Sequence, residues 1–137
     1  LFGVPMWEDY FLKNTRKLVD LAHRYGAYYQ QHSCGAVREI IPSLIKAGVD
    51  ILEPLQKVNG MEIDRLKHDF GTQICFHGGI DTQFVLPHST PEQVEEETRH
   101  YIDVLGKDGG YILMASQCFE SDVPVKNIDA VYRTARN

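Results

Sequence analysis

The sequence predicts an α/β fold in which helices alternate with parallel strands. Two observations support this prediction: four helical patterns each end near a glycine, and a short apolar run follows each glycine within one or two residues. Chains of this kind form right-handed βαβ units around a parallel sheet. A flavodoxin-like open sheet and part of a (β/α)8 barrel both fit, because both bury their strands on two faces. The glycines are Gly26, Gly48, Gly71 and Gly110.

The first helix is predicted over 8–26, where apolar and aromatic residues recur at helical spacing and Gly26 ends the pattern. Its apolar stripe consists of Tyr10, Phe11, Leu18, Leu21, Ala22 and Tyr25. A short strand, "AYYQQH", follows. A second helix is predicted over 37–48, bent or restarted at Pro42, because proline lacks the backbone donor that a helix interior needs.

The helix with the strongest sequence signals is predicted to begin after Ser89. Thr90 can cap it, Pro91 suits its first turn, and Gln93 completes a capping box. The remaining elements follow from the same patterns. They are strands over 49–54, 72–79 and 111–116, and helices over 61–71, 89–106 and 123–136.

Composition excludes several classes of protein. At 137 residues with 43% hydrophobic residues, the chain fits one domain with its own core. Its net charge of −5 leaves no basic stripe for nucleic acid, and no apolar run approaches the ~20 residues that span a bilayer. We expect no signal peptide from the first residues, and three cysteines predict reduced thiols in a cytoplasmic compartment. Because the sequence begins with Leu1, we expect it to be a piece of a longer polypeptide.

Polar residues of types that occur in catalytic and ligand-binding sites follow all four predicted strands. Since the carboxyl ends of parallel strands share one rim, these residues predict a site there. The rim residues are His32, Ser33 and Cys34; Glu53 and Pro54; His77, Gly78, Gly79 and Asp81; and Ser116, Gln117 and Cys118.

Three of the rim residues are candidate metal ligands. Zinc favours Cys thiolates and His nitrogens, and catalytic zinc sites use three protein ligands. His32 and Cys34 on one loop could reach Cys118 on another, although ordinary polar loop residues fit these positions equally well. Cys75 lies among apolar neighbours and is expected to pack as a small hydrophobe, and His77 is expected to be a hydrogen-bonded structural residue.

Longer phrases of the sequence resemble a known family. "HSCGAVREIIPSLIKAGVDILEPLQ", "GGIDTQFVLPHSTPEQV", "GGYILMAS" and "DVPVKNIDAVY" closely resemble the C-terminal half of uroporphyrinogen-decarboxylase-like proteins, a superfamily that includes cobamide-dependent methyltransferases. The resemblance runs from about Trp7 to Arg136. It implies the C-terminal half of a (β/α)8 TIM barrel, with four βα units and parallel strands. Residues 1–137 would then be one partial domain that lacks the N-terminal half.

The resemblance also implies a chemistry. The cobamide-linked methyltransferases carry His-x-Cys where this chain has His32 and Cys34, and a further Cys after the last strand, within about one residue of Cys118. This implies a Zn²⁺ site and transfer of a methyl group between a corrinoid and a thiol-type acceptor, with methyl-cobamide supplied by a partner corrinoid protein. Zinc could also bind the thiol of a small-molecule substrate as thiolate.

Three further rim residues are candidates for supporting roles. Asp81 and Glu53 could orient His32 or the substrate, and Gln117 could donate a hydrogen bond to the substrate. Alternatively, Asp81 caps its own loop and Glu53 is a solvated side chain. Gln117 also occupies the position at which true decarboxylases carry a His.

Two other functions remain open at this point. A metal-free uroporphyrinogen decarboxylase would need rim cations to hold carboxylates; Arg38 and Lys57 come nearest, and the family's Arg-rich N-terminal segment and Asp are not in this stretch. A non-catalytic half-barrel would instead pack a second copy of itself across its open edge strands. The expected partner of the chain is therefore the N-terminal half of the barrel or a homodimer partner.

Overall fold

The computed structural model describes residues 3–136; residues 1, 2 and 137 lie outside the described part. Its four strands pair in parallel in the order β1-β2-β3-β4. A doubly wound open sheet reverses its strand order at a switch point, whereas a (β/α)8 barrel adds its strands in chain order. The structure is therefore half of a (β/α)8 barrel, and the open-sheet alternative is excluded. The strands are β1 (Gln30–His32), β2 (Ile51–Leu55), β3 (Cys75–Ile80) and β4 (Tyr111–Ala115).

Helices cover one face of this sheet. The α-helices are α1 (Val4–Trp7), α2 (Lys13–Arg24), α3 (Ile41–Ala47), α4 (Ile63–Phe70), α5 (Val85–His88), α6 (Pro91–Leu105) and α7 (Val125–Arg136). A π-helical segment, Glu8–Leu12, joins α1 to α2, so the predicted first helix is an α–π–α run that begins earlier than expected. None of the helices in residues 3–136 combines the length and apolar character needed to cross a bilayer.

The predicted helix boundaries are largely confirmed. Pro42 lies in the first turn of α3 after a short 3-10 segment, which is the predicted restart. Thr90 and Gln93 form the capping box of α6. Gly48 ends α3 in the left-handed conformation, with φ of +91°. The short helix α5 was not predicted, because it lies in the long loop between β3 and α6.

The hydrophobic core lies between the sheet and the helices. Leu44, Leu52, Phe76, Ile80 and Leu105 are all fully buried there. The other side of the sheet, which we call the inner face, would line the interior of a closed barrel. Its side chains alternate with the core residues and remain partly or fully exposed. They are Gln30, His32, Ile51, Glu53, Cys75, His77, Ile112 and Met114.

The apolar stripe of the first helix has its predicted spacing but not a buried position. Tyr10 is 72% exposed and Tyr25 is 82% exposed, and Leu18 and Leu21 are about half exposed. In a closed barrel each helix packs between two neighbouring helices. Here α2 contacts α3 on one side, and the stripe lies away from the described core.

Candidate functional site

The first feature of the rim is a bonded His–Glu pair at the ends of β1 and β2. His32 and Glu53 are register partners, and Nδ1 of His32 lies 2.7 Å from Oε2 of Glu53. Because the carboxylate accepts this bond, Nδ1 donates it, and in the neutral imidazole Nε2 is then the nitrogen with the lone pair. Within residues 3–136, Nε2 has no hydrogen-bond partner. Metal-ligating histidines are oriented in this way, with one ring nitrogen donating to a carboxylate.

Cys34 lies two residues beyond His32 in the loop after β1. Its thiol is exposed, and both residues line a cavity of about 510 Å³. The wall of this cavity includes Trp7 and Phe11, whose ring centroids are 6.2 Å apart. Phe11 belongs to the π-helical segment, a geometry that often occurs at functional sites. The cavity therefore combines two metal-ligand residue types with an aromatic wall.

The loop that carries Cys34 is fixed to the loop after β2. The backbone N–H of Ser33 donates to the carbonyl of Glu53 at 2.7 Å, and that of Gly35 donates to Oε1 of Gln56 at 2.8 Å. These bonds on both sides of Cys34 hold the His-x-Cys segment against β2. Gln56 was not among the predicted site residues, because a glutamine after a strand carries no distinctive signal in a single sequence.

Asp81 caps its own loop rather than the His–Glu pair. It is 6% exposed, and its carboxylate accepts backbone hydrogen bonds from Gln83, Phe84 and Val85 at 2.9, 3.2 and 3.4 Å. These bonds begin the turn that leads into α5. The structure thus gives Asp81 the loop-capping role, and gives Glu53 the contact to His32.

A buried asparagine holds the far end of the same loop. Asn127 of α7 is fully buried, and its Nδ2 donates to the carbonyls of Leu86 and Ser89 at 2.8 and 2.9 Å. The loop is also tied to the one after β4, because the hydroxyls of Thr82 and Ser116 lie 3.3 Å apart. The segment after β3 is therefore held by hydrogen bonds at both ends.

Gln117 and Cys118 lie in the loop after β4, at the opposite edge of the sheet from β1. Both residues are exposed. Three inter-strand steps separate the edges, which amounts to about 14 Å, whereas two ligands of one zinc ion lie about 4 Å apart. Among residues 3–136, no three His, Cys, Asp or Glu side chains are grouped so as to hold a metal. The structure pairs His32 with Glu53, places Cys34 on the wall of the same cavity as His32, and leaves Cys118 apart.

Two further predicted residues lie on the inner face. His77 is hydrogen-bonded as expected, with Nδ1 2.9 Å from Oε1 of Gln30. Cys75, which was expected to pack as a small hydrophobe, is half-buried on the inner face beside its register partner Ile51. Burial raises the pKa of the Cys75 thiol above its usual value.

These features define a class of protein: a (β/α)8-type half-barrel whose candidate site lies at the carboxyl ends of its strands. The chain belongs to the uroporphyrinogen decarboxylase (URO-D) family, whose family model matches residues 1–137. Among solved structures it is similar to a methyltransferase from Methanosarcina mazei, with a TM-score of 0.77 and 18% sequence identity. The match covers 99% of this chain and 38% of that protein, so the chain spans well under half of that protein's length. No match is found among curated proteins.

Proposed function

We propose that this chain carries the metal-binding part of a methyltransferase of the URO-D family, which moves a methyl group between a corrinoid and a thiol-type acceptor. One observation carries the proposal: His32 is oriented by Glu53 at 2.7 Å, and Cys34 follows it on the same anchored loop. The structural likeness to a methyltransferase supports this choice within the family, because it extends over 99% of the chain.

The residues of the proposed zinc site are of the types that bind zinc, but only two of the three lie close to one another. His32, Cys34 and Cys118 would hold Zn²⁺, since thiolates and imidazole are its preferred ligands. When bound, zinc holds a thiol substrate in the reactive thiolate form at neutral pH. Two of these ligands share one cavity, whereas Cys118 lies at the other edge of the sheet. The proposal therefore requires the loop after β4 to reach the pair.

The remaining site residues orient ligands and shape the cavity. Glu53 accepts a hydrogen bond from Nδ1 of His32 and so favours the neutral tautomer in which Nε2 can bind a metal. Trp7 and Phe11 form the aromatic part of the wall of the cavity that contains His32 and Cys34. Gln117 is exposed at the rim and can donate a hydrogen bond to a bound substrate.

The decarboxylase alternative is less well supported by the rim. Its substrate carries carboxylates that need free cations, and the two nearest candidates are already paired. Arg38 forms an ion pair with Asp69 and lies over the Phe70 ring, 5.3 Å from its centroid. Lys57 forms an ion pair with Glu97. Both cations therefore serve the packing of α4 and α6, rather than presenting free charge to a ligand.

We also propose the partners that this function requires. A corrinoid protein would deliver methyl-cobamide, and the remaining half of a barrel would cover the inner face and pair with the edge strands β1 and β4. A reducing, cytoplasmic compartment suits a site built on free thiols. The molecular mass of the isolated chain in solution distinguishes this assembly from a barrel made of two copies of the chain. A dimer favours the barrel of two copies, and a monomer argues against it.

Metal analysis of the purified full-length protein tests the proposal. We expect a single zinc ion per chain, and sharply weaker zinc binding after Cys118→Ser. The matched control is Cys75→Ser, which should leave zinc binding unchanged because Cys75 lies lower on the inner face. Absence of zinc after careful preparation would overturn the methyltransferase assignment. Equal effects of the two substitutions would show that the ligand set is wrong.

A further inference from the structure

An irregularity in the pairing of β2 and β3 places His77 beside the candidate site. Leu52 pairs with Phe76, but Leu55 pairs with Gly78. Two residues of β2, Glu53 and Pro54, therefore stand opposite the single residue His77. Bulges of this kind redirect side chains and are common next to active sites. Glu53, whose carboxylate orients His32, thus has His77 as its neighbour on the other side.

The hydrogen bond of His77 determines which of its nitrogens is free. Nδ1 lies 2.9 Å from Oε1 of Gln30, and an amide oxygen only accepts hydrogen bonds, so Nδ1 carries the proton. Nε2 then has an available lone pair, and it has no hydrogen-bond partner within residues 3–136. In the neutral imidazole, the contact with Gln30 therefore leaves Nε2 as the hydrogen-bond acceptor of His77.

The strand on the other side of His77 is apolar on the inner face. Ile112 is the register partner of His77, and Met114 lies two residues further along β4; each side chain is 39% exposed. The inner face therefore has a polar group on β1 to β3, formed by Gln30, His32, Glu53 and His77 beside Ile51 and Cys75, and is apolar on β4. A ligand that spans both needs a hydrogen-bond donor at one end and an apolar group at the other.

We propose that His77 is a substrate-contacting residue of this site, and that the acceptor is a small thiol with an apolar substituent. Nε2 accepts a hydrogen bond from the S–H group. When that S–H bond breaks, the electron pair stays on sulfur and the proton goes to Nε2, giving an imidazolium whose Nδ1–H remains bonded to Gln30. The alkyl part of the thiol packs against Ile112 and Met114. This inference rests on the proposed function, because it names the acceptor class of the same site.

Nitrogen NMR of the zinc-loaded full-length protein, with ¹⁵N-labelled histidine, tests the inference. Propanethiol is the probe, and methyl propyl sulfide, which lacks the S–H donor, is the control ligand. Without ligand, His77 should show a protonated Nδ1 and an unprotonated Nε2. Propanethiol should shift Nε2 towards the protonated form, and the sulfide should not. A shift at His32 without one at His77 would overturn the inference and leave the proposed function standing. No thiol binding at all would count against both.

Binding measurements separate the contact from a structural role. His77→Leu should weaken propanethiol binding about fivefold, the effect of one lost hydrogen bond, and should leave binding of the sulfide unchanged. Cys75→Ala, on the same strand and face, is the matched control and should alter neither affinity. From ethanethiol to butanethiol, affinity should rise about fourfold per methylene. Equal losses for thiol and sulfide in His77→Leu, or a flat chain-length series, would overturn the inference.

Discussion

Glu53 and Asp81 can be distinguished experimentally, although both are carboxylates that follow rim strands. We expect Glu53→Gln to impair zinc binding and Asp81→Ala to impair folding. Glu53 accepts from Nδ1 of His32 at 2.7 Å, and the side chains of the pair are 15% and 59% exposed. Asp81 is 6% exposed, and its bonds go to three backbone N–H groups of its own loop.

The magnitudes follow from these contacts. Loss of the carboxylate that orients a ligating His weakens metal affinity by about 10- to 100-fold, or about 1.4 to 2.8 kcal/mol. Because His32 is well exposed, Glu53→Gln should change the free energy of unfolding by less than about 1 kcal/mol. Asp81→Ala removes a buried cap that accepts three backbone hydrogen bonds of its loop, which costs about 2 kcal/mol of stability. Its zinc affinity should be that of the unaltered protein.

Two assays on the full-length protein measure this contrast. Competition with a colorimetric chelator gives the zinc dissociation constant, and urea denaturation gives the free energy of unfolding. The reasoning is refuted if Glu53→Gln binds zinc as tightly as the unaltered protein. It is equally refuted if Asp81→Ala weakens zinc binding as much as Glu53→Gln does, since the two carboxylates would then act on the same site.

Two further predictions concern packing and thiol reactivity. Gly79→Ala should destabilise the fold by about 3 kcal/mol or more, because φ is +113° and an added Cβ would lie 2.4 Å from the Tyr101 ring. Gly60→Ala, with φ of +85° and open space around it, should cost only about 1 kcal/mol in urea denaturation; equal losses would exclude the ring contact as the cause. Iodoacetamide should label exposed Cys34 faster than Cys75, whose pKa is raised by burial, and zinc should slow the labelling of Cys34 but not that of Cys75. Labelling at equal rates, read by mass spectrometry, would contradict this assignment.

The sequence was sufficient to predict the main helices and strands. It was not sufficient to predict whether the sheet is open or belongs to a barrel. Local signals such as the Thr90 capping box and the Pro42 restart depend on neighbouring residues, and both are present as predicted. The choice between an open sheet and a barrel depends on strand order, which residue patterns alone left undecided. The resemblance to a family supplied that choice, and the order β1-β2-β3-β4 agrees with it.

Only part of the candidate site was predicted, because only contacts between residues close in sequence leave a local signal. His32 and Cys34 are close in sequence, so one loop keeps them together. Which carboxylate approaches His32 depends on the register between β1 and β2, which only the three-dimensional structure specifies. The contribution of Cys118 depends on how far a loop extends across the sheet, and no sequence pattern encodes that distance. His77 and Gln30 were separated by 47 positions, and their contact likewise has no local signal.

The aromatic wall of the cavity gives this protein a built-in optical reporter. Trp7 is the only tryptophan in the chain, and it lines the cavity that contains His32 and Cys34. Its emission therefore comes from one place, beside the proposed ligands, without any engineered label. In this chain, metal and thiol binding at the proposed site, and the approach of the proposed corrinoid, should each change the intensity and colour of the Trp7 emission.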